Sequence, residues 1–158
     1  MDRPPLESLE HSVEELVAIV ESLSDKALDA TPGEGKWSIR QTVHHLADEC
    51  NIWPLCIKKA IVTPGGRVQI EGFPGNDAWV EGLAYDHRSV GPALDLLQAE
   101  RRYLSELLRH FEHAWDHTVV LVDAEKGEER TLSVADIVAL LTEHVKTHLK
   151  IIRGILNR

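Results

Sequence analysis

The sequence predicts an all-α fold, a four-helix bundle, and three observations carry that prediction. Apolar residues recur at three- and four-residue steps in four separate stretches, the spacing that builds one buried stripe along a helix. Proline and glycine cluster between those stretches, apart from Pro54 inside the second and Gly154 near the end of the fourth. Ser38 and Ser133, residues suited to capping a helix N-terminus, stand where two of the stretches begin. Amphipathic helices must bury their stripes against one another, and four of them do so in a bundle. A chain of 158 residues, 43% hydrophobic and 27% charged, has the size and balance of one folded domain.

The first stretch runs from about Pro5 to Ala27. Leu6, Leu9, Val13, Leu16, Val17, Val20 and Leu23 face one way, opposite Glu7, Glu10, Glu14 and Glu21. Thr31-Pro32-Gly33-Glu34-Gly35-Lys36 then stops helical propagation and forms a connection. The second helix opens at Ser38 and lines up Ile39, Val43, Leu46, Cys50, Trp53 and Ile57. Pro54 predicts a kink or local break there, because proline lacks the N–H that the helix needs. From Thr63 to His87, Pro64-Gly65-Gly66 and Pro74-Gly75 interrupt any sustained period. The segment reads as a long loop with a short helix near Asp77 to Leu83, and long loops often border functional pockets.

The third helix starts near Ser89 to Pro92, with proline in the first turn where its missing N–H costs nothing. Leu94, Leu97, Leu104, Leu107, Leu108 and Phe111 form its apolar face. Thr118 to Val122 is rich in β-branched residues, and a turn signal at Glu125-Lys126-Gly127-Glu128 precedes Arg130-Thr131-Leu132. Those segments admit a short two-stranded hairpin between the third and fourth helices. The fourth helix begins at Ser133, with Asp136 completing a capping-box-like start, and continues through Ile137, Val138, Leu141, Val145, His148, Ile152 and Ile155.

Charge narrows the function classes. A net charge of -9 repels phosphate backbones and anionic lipid surfaces, which disfavours nucleic-acid and membrane partners. No apolar run approaches the ~20 residues of a membrane span, and Met1-Asp2-Arg3-Pro4-Pro5 lacks the apolar core of a signal peptide. The expected compartment is the cytoplasm. Cys50 and Cys56 are six apart in one helical pattern, which puts them on different faces, argues against a disulfide between them and leaves them as small core hydrophobes.

The chemistry-bearing residues are histidines. His144 and His148 stand four apart in the fourth helix, so both rings project from one face. By helical phase His148 falls within the apolar stripe and His144 on its shoulder. Buried rings left unpaired cost about 1–3 kcal/mol each. A metal ion would satisfy both at once, and the competing reading is a pair satisfied by carbonyls, water or side chains. A third ligand must come from elsewhere, and His44-His45 on the second helix supplies the candidates. Both lie off the centre of that stripe; His45 shares its side with Thr42, Glu49, Ile52 and Cys56, and His44 with Arg40, Asp48 and Asn51. Periodicity prefers His45 only slightly.

The run Pro32-Gly33-Glu34-Gly35-Lys36-Trp37-Ser38-Ile39-Arg40-Gln41-Thr42-Val43-His44-His45-Leu46-Ala47-Asp48, followed by a closing His144-x-x-x-His148, resembles the DinB-like or YfiT-like family of metal-dependent proteins. The shared pattern is a Trp-Ser start to the second helix, a His before Leu-Ala-Asp, and the final His pair. The resemblance covers nearly the whole chain and implies a four-helix bundle of DinB/YfiT-like type, with three histidines binding a divalent metal between helices. Carried over residue by residue, the ligands are His45, His144 and His148. The resemblance also implies a homodimer, and either a hydrolase or a thiol S-transferase acting on a small molecule.

Neutral imidazoles suit Zn, Ni, Fe or Co, and three protein ligands leave a position for water or substrate. The nucleophile would be either water or a low-molecular-weight thiol cosubstrate. No catalytic residue beyond the metal ligands can be named: Asp48 and Glu143 read as solvated helix-face carboxylates, and no His-Glu-x-x-His, Gly-x-Ser-x-Gly or phosphate loop occurs. An interaction module that binds metal without catalysis is the alternative. His110, His113 and His117 form a loose cluster at the end of the third helix that reads as an exposed terminus. Trp37 and Trp53 read as core packing.

Overall fold

The computed structural model describes residues 4–71, 75–123 and 126–158. Its long elements are the four expected helices, with α1 at Leu6–Val20, the broken pair α3 at Ile39–Asp48 and α4 at Trp53–Val62, then α6 at Gly91–His110 and α7 at Val134–Leu156. Two short helices, α2 at Asp25–Leu28 and α5 at Asn76–Gly82, lie in the connections. The described residues also form strands β1 at Gly66–Ile70, β2 at Thr118–Asp123 and β3 at Glu128–Ser133.

The first helix is shorter than its apolar period. It stops at Val20, and a separate turn, α2, begins at Asp25. Ser24 is the reason: its hydroxyl accepts from the Ala27 N–H at 3.3 Å and caps a new helix, a competition that serine offers to continuous helix. Arg40 of α3 then clamps this turn, bonding Asp29 at 2.7 Å and Asp25 at 2.8 Å.

The second helix breaks as Pro54 requires. Ser38 and Gln41 form a reciprocal capping box at its start. After Asp48 the chain tightens into a 3-10 turn at Glu49–Asn51 and resumes as α4 with proline in the first turn, where no N–H is missed. The break turns the chain at the point where Asp48 and Glu49 leave α3, and both then border the cavity described below.

The segment expected as loop contains a strand. Gly66 to Ile70 pairs parallel with β2, Val68 opposite Leu121, while β2 pairs antiparallel with β3. The alternation of Val68 and Ile70 with Arg67 and Gln69 is strand-like, and the preceding glycines concealed it. Gly66 is needed as glycine: a Cβ there would stand 2.8 Å from the Thr63 carbonyl. The short helix expected near Asp77 to Leu83 is α5, and the hairpin is β2–β3.

Two apolar cores fill the bundle. One joins α1, α3, the first half of α6 and the end of α7, through residues such as Leu16, Val43, Leu97 and Ile152. The other joins α4, β2, the second half of α6 and the start of α7, through Ile57, Val119, Leu104 and Leu141. The histidine-bearing faces of α3 and α7 meet beside the first core. Among the described residues no helix is long and apolar enough to cross a membrane.

Candidate metal centre

Adjacent residues on a helix project about 100° apart, so His44 and His45 must part company. His44 turns inward, is 3% exposed, and sets its Nε2 3.4 Å from the Arg88 carbonyl beside the Tyr85 ring. His45 turns toward α7. There its Nε2 lies 3.4 Å from His144 Nε2, and His148 Nε2 lies 2.9 Å from the same atom. One ligand atom from each of His45, His144 and His148 falls within 4.8 Å of the others, the one such group among the described residues.

The ring tautomers follow from the surroundings. His144 Nδ1 donates to Glu49 Oε2 at 2.6 Å, which leaves His144 Nε2 as a lone pair pointing at the other two rings. A carboxylate behind a ligand imidazole fixes its tautomer and orientation. Burial lowers the pKa of His45, and burial with the neighbouring His144 and His45 rings lowers that of His148 to about 4. Both are neutral near pH 7 and present lone pairs rather than charge.

Three imidazole nitrogens converging on one point cannot all be satisfied by each other, because the single lone pair on His144 Nε2 has room for one N–H donor. Nitrogens held at ~2.0–2.1 Å by one tetrahedral ion stand about 3.3 Å apart. The separations of 2.9 and 3.4 Å around His144 bracket that value, so the donor set fits a divalent transition metal.

A cavity of about 530 Å³ opens on the His45 side, bordered by the α3–α4 corner, α5 and the ends of β1 and β2. Asp48, expected as a solvated carboxylate, instead accepts the Tyr85 hydroxyl hydrogen bond at this wall. Burial first, then Asp48, pushes the Tyr85 pKa upward. Ala84, in the left-handed region at φ 49°, sets the turn that brings Tyr85 there.

Trp53 packs against the second core as expected, whereas Trp37 does more than fill space. Trp37 stands 4.9 Å from the His45 ring, its indole N–H donating to Asp77 of α5 at 2.9 Å, and Trp53 lines the cavity. Glu49, which periodicity places only on the His45 side of its helix, is the carboxylate behind His144; its place four residues after His45 signals the shared face, and its partner on α7 comes from tertiary packing. Glu143 is exposed and pairs with Lys146 at 2.8 Å. His113 and His117 approach to 5.7 Å between ring centres, and no third ligand joins them among the described residues. Cys50 and Cys56 are free thiols, and burial raises the pKa of each, that of Cys50 to about 12.

The family model of the DinB superfamily matches residues 8–152. Among solved structures, YfiT from Bacillus subtilis, described as a probable metal-dependent hydrolase with an unusual four-helix bundle topology, superposes with a TM-score of 0.78 at 23% identity. The match covers 96% of this chain and 82% of that one. A mycothiol-dependent maleylpyruvate isomerase superposes with a TM-score of 0.66 at 17% identity, over 96% of this chain and 63% of the isomerase. No curated protein matches the sequence.

Proposed function

This chain belongs to the DinB superfamily, and we propose on that footing that it is a metal-dependent enzyme in which His45, His144 and His148 hold one divalent transition metal. The observation that carries the reading is the convergence of three Nε2 atoms on one point, with His144 oriented from behind by Glu49. A zinc, nickel or iron ion held there would supply Lewis acidity, easing loss of a proton from a water or thiol on its open side.

The chain's own residues do the rest. Glu49 holds the His144 ring in register. Trp37 flanks the His45 ring and limits its rotation. The cavity beyond His45 binds the second reactant against its apolar walls.

Between water and thiol as nucleophile, one observation favours a low-molecular-weight thiol. A hydrolase normally needs a base beside the water, and each carboxylate that borders the cavity among the described residues already has a partner. Glu49 serves His144, Asp48 serves Tyr85, and Asp123 pairs with Lys126. A thiol that loses its proton to bulk buffer on binding needs no such base.

Elemental analysis of protein purified without an affinity tag tests the metal. About one equivalent is expected, lost in His45→Ala and retained in His44→Ala. Less than about a tenth of an equivalent after reconstitution refutes the site. Turnover of a chlorinated aromatic that rises with added thiol supports thiol transfer, and turnover indifferent to thiol refutes it.

A further inference from the structure

The cavity beside the three histidines carries a charge inventory that restricts what can enter it. Its walls are partly buried apolar groups: Ile52 and Trp53 at the α3–α4 corner, Trp79 on α5, and Ile70 and Leu121 on adjacent strands. Their uncovered faces line a space of about 530 Å³, enough to enclose a small organic molecule.

The His45 ring on this lining is neutral, and the charged groups on the described lining are Asp48, Glu49, Asp123 and Lys126. Three are carboxylates. Lys126, the single lysine among them, has its Nζ 3.3 Å from Asp123 Oδ2, so its charge is already answered. No arginine borders the space among the described residues. The other polar side-chain groups are uncharged: the amides of Asn51 and Asn76, the hydroxyl of Tyr85 and the indole N–H groups of Trp53 and Trp79.

A carboxylate or phosphate entering an apolar-walled space gives up hydration and must recover it from fixed cations or donors. Here it would meet carboxylates of its own sign. The double charge of an ion held at the histidines would be offset by Asp48 and Glu49 before any substrate arrives, with Asp123 already paired to Lys126. A neutral aromatic or branched aliphatic group loses nothing comparable and gains contact with two indole rings.

We propose that this cavity selects uncharged substrates bearing an aromatic or branched aliphatic group, and rejects the same skeleton when it carries a carboxylate or phosphate. The proposal deepens the functional reading above and rests on it in placing the reacting atoms beside His45.

The test uses phenylacetamide and phenylacetate, two probes of matching shape that differ in charge. Each is titrated into the full-length protein as purified, with tryptophan fluorescence as the readout because Trp53 and Trp79 line the space. The amide is expected to bind at least about tenfold more tightly than the acid, a difference of ~1.4 kcal/mol. Equal affinities, tighter binding of the acid, or no binding of the amide up to its solubility overturns the proposal.

Asp123→Asn supplies a second measurement. It frees the Lys126 charge while its amide oxygen can still accept the Lys126 backbone N–H, a bond of 3.1 Å in the native turn. Phenylacetate should then bind about threefold more tightly, in line with the modest worth of an exposed pair, and the amide should be unaffected. An unchanged acid affinity overturns the charge argument. Metal content is measured on the same samples. Discrimination without metal removes the metal reading and keeps the selectivity, and metal without discrimination does the reverse.

Discussion

Removing the Glu49 carboxylate should weaken metal binding without touching a ligand. Glu49 Oε2 lies 2.6 Å from His144 Nδ1, with the two side chains 19% and 25% exposed, so water screens the contact only in part. A hydrogen bond to a charged partner contributes about 1.5–3 kcal/mol, and each ~1.4 kcal/mol is tenfold in affinity. Glu49→Ala should therefore lower zinc affinity about 10- to 100-fold, the range expected for a group that orients a ligand from behind. Glu49→Gln keeps an oxygen that can accept from Nδ1 while losing the charge, so its loss should be smaller, about tenfold or less. Competition against a chromophoric chelator at pH 7 measures both. Glu143→Gln is the control, since Glu143 precedes His144 but faces solvent. A Glu49→Ala protein that binds zinc within about twofold of the native chain would refute the reasoning.

Two further outcomes follow from the same geometry. His148 has a folded-state pKa near 4 against an ordinary 6.5, so between those values the unfolded chain binds more protons than the folded one. Metal-free protein should hold this contribution in full above pH 6.5, lose it as pH falls toward about 4, and lose no more from this group below that. Melting temperatures across that range should fall with pH, and His148→Gln should flatten part of the slope; an unaltered slope would contradict the assignment. Ala84 sits at φ 49° and ψ 49°, a conformation costing an L-residue roughly 1–2 kcal/mol. After the entropy cost of glycine, Ala84→Gly should raise stability by up to about 1 kcal/mol, read as a higher denaturant midpoint, and a lower midpoint would show that no strain is stored there.

The bundle was legible wherever one element settles its own structure. Ser38 with Gln41 and Ser133 with Asp136 cap helices through bonds among neighbours in sequence, and the predicted starts hold. Pro54 broke its helix for a purely local reason. What stayed hidden depended on distant partners. Gly66 to Ile70 is a strand because β2, some fifty residues away, offers an edge. Asp48 looks solvated along α3 until Tyr85 is brought over it. Helical phase could barely separate His44 from His45, because the α3–α4 break and the approach of α7 decide which flank faces the last helix. The histidine pair on α7 was readable from spacing alone; its meeting with His45 was not, since that is a fact of tertiary packing.

The sequence separation of 99 positions from His45 to His144 also sets a schedule. On a ribosome adding ~5–20 residues per second, the His45 ring waits about 5–20 s before His144 has been made, and still longer before α7 is free to dock. During that interval a nascent chain holds one imidazole of the three and no closed pocket around it. The three rings coexist only after translation has passed His148, so any ion seated among them must arrive after nearly all of this sequence has been synthesised.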